Sequence, residues 1–114
     1  MLELDAEIEK LRGHQRAILK LLQCMWDAPD RDAWASLLPV GGQDGSLQKR
    51  FKGHSEAARI QAKTGSLSHV RALSGYAQLA NSETVAFSLL LNNYIAPDAD
   101  VTTFLDNIGL KLLR

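Results

Sequence analysis

The sequence predicts an α+β domain: a three-stranded antiparallel sheet with an N-terminal and a C-terminal helix packed on one of its faces. Three observations predict it. Residues 2–26 carry apolar side chains spaced alternately four and three apart, residues 58–94 alternate with period two between turn formers, and residues 98–113 return to helical spacing. A chain of 114 residues supports one core and one domain.

In the first helix, residues 1–26, the stripe is Leu4, Ile8, Leu11, Gln15, Ile18, Leu22 and Met25, an a/d seam. Acidic residues fill its first half and basic residues its second, which suits the helix dipole and an antiparallel partner of the same sequence. The stripe serves equally to cover the chain's own sheet or to form an intermolecular seam, with Gln15 setting register. Pro29 breaks the helix, and residues 30–57 read as short helices and loops, with Asp30 capping a turn that holds Trp34 and Leu37. Residues 58–94 read as an antiparallel meander. Its first strand, Arg59 to Lys63, ends at a turn on Gly65; the second runs over 68–79; Asn81-Ser82-Glu83 turns the chain into the third, Val85 to Tyr94. Val85, Phe87, Leu89 and Leu91 share one face of that strand, and Ala86 and Leu90 make the other face apolar too, so it asks for cover on both sides and for the central place. In the last helix, 98–113, Asp98 or Asp100 is the cap and Val101, Phe104, Leu105, Ile108 and Leu112 are the buried stripe.

Composition narrows the function classes. Lys plus Arg and Asp plus Glu both number 13, so the net charge is zero, which argues against nucleic acid as a partner and favours self-association. No apolar run is long enough for a membrane span. The N-terminus is acidic and amphipathic, unlike a secretory signal, so the sequence as read predicts a cytoplasmic place. The lone Cys24 excludes an internal disulfide and reads as a buried apolar side chain. His14, His54 and His69 are too scattered for a metal site; His14 reads as solvated, His54 as a loop residue, and His69 lies beside the first strand, where it could touch a ligand. Gly41-Gly42-Gln43-Asp44-Gly45 lacks the Lys-Ser/Thr that completes a phosphate loop. No metal and no cofactor is expected.

The motif with chemistry in it is Lys63-Thr64-Gly65, followed by Ser66-Leu67. Asp44-Gly45-Ser46-Leu47 precedes it, and Ala72-Leu73-Ser74-Gly75-Tyr76, Ala86-Phe87-Ser88 and Asn92-Asn93-Tyr94 follow. In that order and spacing, roughly residues 25 to 114 resemble the C-terminal end of the D-alanyl-D-alanine carboxypeptidase/endopeptidase family, the class C penicillin-binding proteins. The first helix is loosely similar to the dimerisation helices of MerR-type regulators, but neither a DNA-reading element nor a basic patch accompanies it.

The penicillin-binding resemblance implies a piece of a transpeptidase-like fold from the cell envelope, whose parents act on peptidoglycan stem peptides and bind β-lactams. It also implies roles. Lys63 supplies positive charge, Thr64 a hydroxyl for the substrate carboxylate, Gly65 room along a strand edge, and the Ser66 N–H half of an oxyanion hole. The family's other two motifs are a Ser-x-x-Lys nucleophile and a Ser-x-Asn. The sequence has no Ser-x-Asn, and its one Ser-x-x-Lys, Ser46-Leu47-Gln48-Lys49, falls where the family has no nucleophile. The expectation is a fragment, a truncated product or a fusion, carrying one motif of three and inactive alone. The alternative is a non-catalytic, self-associating domain that joins an amphipathic helix to this fragment, associating through that helix and through sheet surface left bare around Leu73, Tyr76, Leu89 and Leu90.

Overall fold

The computed structural model describes residues 2–51, 53–67, 70–92 and 94–113, with side chains described at all of these except 2–12, 14 and 67. The side chains of the expected seam residues Leu4, Ile8 and Leu11 and of His14, and the whole of His69, lie outside that description.

Helix α1 runs over Leu2–Trp26 and helix α2 over Arg31–Ser36. Single 3-10 turns follow at Gly45–Leu47 and Ser55–Arg59. Strands β1 (Ile60–Leu67), β2 (Val70–Gln78) and β3 (Thr84–Asn92) come next, and helix α3, Asp98–Leu112, ends the fold. The strands form one antiparallel sheet in the order β1-β2-β3, so the α+β meander is as expected. The central strand is β2, however, and β3 is an edge. Gly65 is no turn: it sits inside β1, paired with Ala72, and the hairpin narrows only at Leu67–Val70.

The two long helices do not share a face. Side chains alternate along a strand, and the register puts Ile60, Ala62, Leu73, Ala77 and Phe87 on one side of the sheet. There they join Leu110 and Leu113 of the α3 end in the main core. Tyr76 and Ala86 point the other way and join Leu22 and Trp26 of α1 and Trp34 of α2. β2 and β3 are apolar on both sides, so each face needs its own cover, and the two helices divide the task. Leu73 and Tyr76, expected bare, are therefore buried within the chain. Tyr76 ties the second layer together: its hydroxyl donates to the Leu22 carbonyl and accepts from Trp34 Nε1 at 3.0 Å, and its ring lies 4.8 Å from that of Trp26.

The α3 stripe is Val101, Leu105, Gly109, Leu110 and Leu113, while Phe104 faces outward. Its cap is Pro97, whose fixed φ suits the position before a first turn, and Asp98 and Asp100 lie inside that turn, where their charge favours the helix dipole. Asp30 does occupy the N-cap of α2, but its side chain makes no cap hydrogen bond. Cys24 is exposed, because it lies on the side of α1 turned from the sheet. Among the described residues, two ion pairs tie α3 to the rest of the fold. Asp106 of α3, buried, takes both Nε (3.2 Å to Oδ2) and Nη2 of Arg50. At the start of α3, Asp98 takes Arg71 Nη2 at 2.8 Å.

Candidate functional site: the outer edge of β1

β1 is the edge strand that carries Lys63-Thr64-Gly65-Ser66. Along an antiparallel strand the N–H and C=O of alternate residues point to alternate sides. Gly41 N–H donates to Ile60 O and Ala62 N–H donates to Pro39 O, each at 2.9 Å. The even-numbered residues of β1 thus turn their backbone groups away from β2. The strap of Pro39 to Gly41 covers that outer edge at its start, with Val40 bridged to Gln61 and Gln61 Nε2 donating to the Ala35 carbonyl at 3.2 Å. Among the described residues, backbone bonds to this edge from neighbouring segments end at Ala62. Thr64 and Ser66 follow with their amides and carbonyls turned outward.

The motif's side chains divide between the two faces. Lys63 stands on the α1 face, in a rung with Ser74 and Ser88, whose hydroxyls are 3.0 Å apart. Its ammonium donates to the Thr64 carbonyl at 3.0 Å and is exposed. Thr64 and Ser66 stand on the α3 face and line a cleft of about 260 Å3 with Ser46, Arg71 and Thr102. Gly65 is not required by the fold, since a Cβ there would meet only Ala72 Cβ, at an ordinary 3.5 Å. What its bare backbone leaves open is the approach to the strand.

Ser46 is thus brought beside Thr64 and Ser66, while Lys49 lines a neighbouring cleft with His54, Thr103 and Asn107 that shares Arg50 and Thr102 with the first. The described hydrogen bonds include none between Ser46 and Lys49. His54 is an exposed loop residue as expected, with Nδ1 3.2 Å from Glu56 Oε1. Among the described residues no group of His, Cys, Asp and Glu could hold a metal ion, and no helix is long and apolar enough to cross a membrane.

Sequence reasoning missed Arg71 and the two carboxylates that hold arginines here. Arg71 could have been found by counting, because it pairs with Ser66 and so shares the face of Thr64 and Ser66. Asp98 accepts from Arg71 and from the Tyr94 hydroxyl, the latter at 2.8 Å. The Tyr94 phenol lies above its ordinary pKa, through desolvation first and then the hydrogen bond to Asp98, with Arg71 opposing.

Lys63-Thr64-Gly65 thus sits on an edge strand of an antiparallel sheet that is covered by a helix on each face. The chain belongs to the D-Ala-D-Ala carboxypeptidase 3 (S13) family, whose model matches residues 14–108. The match begins inside α1, so the second half of that helix belongs to the family segment, and the boundary expected at residue 25 moves back to 14.

The chain is 35% identical over 85 residues to a D-alanyl-D-alanine carboxypeptidase of an Actinomadura species, covering 70% of this chain and 16% of that one. It is 33% identical over 92 residues to penicillin-sensitive carboxypeptidase A of Dictyostelium discoideum, covering 75% and 17%. Penicillin binding protein 4 (dacB) of Haemophilus influenzae superposes with a TM-score of 0.77 at 27% identity, over 88% of this chain and 24% of that one. The chain therefore spans about a sixth of the length of the curated relatives it matches.

Proposed function

We propose that this segment is the substrate-carboxylate edge of a serine-type D-Ala-D-Ala carboxypeptidase or endopeptidase acting on peptidoglycan stem peptides at the cell envelope. The observation that carries the reading is the outward-turned backbone and hydroxyls of Thr64 and Ser66 beyond the end of the Pro39 to Gly41 strap. A peptide laid along that edge finds strand-type hydrogen bonds, as in β-strand addition. Thr64 and Ser66 hold its terminal carboxylate, the Ser66 N–H polarises the scissile carbonyl, and Lys63 supplies charge from the other face.

These 114 residues, taken alone, do not form an acyl-enzyme. Acyl transfer needs a nucleophile with a base at hydrogen-bond reach, and no described hydrogen bond joins Ser46 to Lys49, which line adjoining clefts. One oxyanion donor is worth roughly 3–4 kcal/mol, against roughly 8 kcal/mol or more for even a modest enzyme. The chain is therefore expected to give no covalent adduct with a fluorescent penicillin by intact mass, while a full-length relative is labelled under the same conditions. An adduct that disappears in Ser46→Ala would make Ser46 a nucleophile and overturn this assignment.

A second reading, self-association, is favoured by one flank of α1, where Ile18 is 38% and Leu21 53% exposed. The sheet surface around Leu73 and Tyr76 plays no part, being buried. Light scattering on the purified chain is expected to give a dimer or larger, and Ile18→Glu/Leu21→Glu a folded monomer. A double variant that associates like the parent chain would remove this flank as the interface.

A further inference from the structure

We propose that Arg71 completes the anion site on the α3 face of β1, its guanidinium joining the hydroxyls of Thr64 and Ser66 around the C-terminal carboxylate of a D-Ala-D-Ala-type peptide. The inference rests on the reading of the Thr64 to Ser66 edge as a carboxylate site and adds to it a residue that sets specificity for the charge.

The placement follows from register. Arg71 pairs with Ser66 across the β1–β2 hairpin and lines the same cleft as Thr64, Ser66 and Ser46. Its side chain is only 21% exposed, and its described contacts include two that hold the guanidinium: Nη1 donates to the Val70 carbonyl at 2.9 Å, and Nη2 meets Asp98 Oδ2 at 2.8 Å. A guanidinium so held loses little freedom when it binds, and its five N–H donors in one plane can serve two carboxylates at once. The Asp98 contact shows that a carboxylate reaches this guanidinium in normal geometry. Asp98 is itself 66% exposed, so it is a resident that an incoming carboxylate shares with or displaces at small desolvation cost.

Asp98 and the ligand then compete for one cation, which gives two variants with opposite signs. The test is an amide-shift titration of the 114-residue chain with N-acetyl-D-Ala-D-Ala and, in parallel, with its C-terminal carboxamide. The acid is expected to shift the amides of Thr64, Ser66 and Arg71. Its affinity should fall about tenfold in Arg71→Gln, the worth of a charge-assisted hydrogen bond, and rise severalfold in Asp98→Asn. Arg71→Lys, which keeps charge and loses the planar fork, should fall between Arg71→Gln and the parent chain. The carboxamide should bind all forms alike.

If the acid shifts Thr64 and Ser66 but Arg71→Gln and Asp98→Asn both bind it like the parent chain, the inference on Arg71 is wrong and the edge reading stands. If Arg71→Gln loses its dispersed spectrum, Arg71→Lys and Asp98→Asn decide by the same criterion. If the acid shifts neither Thr64 nor Ser66 in the parent chain, the edge reading fails and Arg71 fails with it.

Discussion

Asp106→Ala is expected to destabilise the chain by about 3–5 kcal/mol, the usual loss when one partner of a buried ion pair is removed. The Arg50 and Asp106 side chains are 16% and 11% exposed and are joined by two hydrogen bonds. Alanine leaves the guanidinium under α3 with no counter-charge and little water. Such a loss is a large share of the roughly 5–15 kcal/mol that holds a domain folded. The double change Arg50→Met/Asp106→Leu, which removes both charges and keeps the volume, should recover most of it. Urea unfolding of the three proteins measures this directly. A loss under about 1 kcal/mol for Asp106→Ala would mean the pair is solvated and carries little.

Gly75→Ala is the second change with a large expected cost, about 3 kcal/mol, at the upper end for overpacking. A Cβ at Gly75 would lie 2.1 Å from the Gln61 carbonyl oxygen and 2.6 Å from Ala62 Cα. Both are backbone atoms of β1, so no side chain can swing aside, and the two strands must part in the middle of the sheet. Gly65→Ala, ten residues earlier, should be close to neutral for stability, because its Cβ meets only Ala72 Cβ at 3.5 Å. The paired measurement, by thermal or urea unfolding, separates a glycine the fold needs from one the strand edge uses. Equal losses at the two positions would contradict this division.

Much of the architecture was legible because it is local. The period of α1, the alternation of β3 and the breaks at Pro29, Asn81 to Glu83 and Pro97 placed the main elements within a few residues. The family was legible from one motif and its spacing. What was hidden depends on contacts between distant residues. Alternation in β3 is apolar on both faces, so it gave no sign of which helix covers which. Hydropathy alone puts the α3 stripe one flank off, because Gly109, which carries no hydropathy signal, is part of the buried side and Phe104 is not. Arg50 and Asp106 are 56 positions apart and each looks like an ordinary surface charge until the fold joins them.

The division of the motif between two faces has a consequence for how such a strand can change over time. Lys63 answers to whatever lies on the α1 side; Thr64, Ser66 and Arg71 answer to whatever lies on the α3 side. A polypeptide backbone separates the two sets, and neither side's shape constrains the other's. On the roles proposed above, a lineage can therefore lose the charge that Lys63 supplies from one side and still retain a grip on carboxylates with the other. The reverse loss is equally open to it. On those proposed roles, β1 with Arg71 of β2 carries two separable inheritances, and keeping the letters Lys-Thr-Gly does not oblige a descendant to keep both.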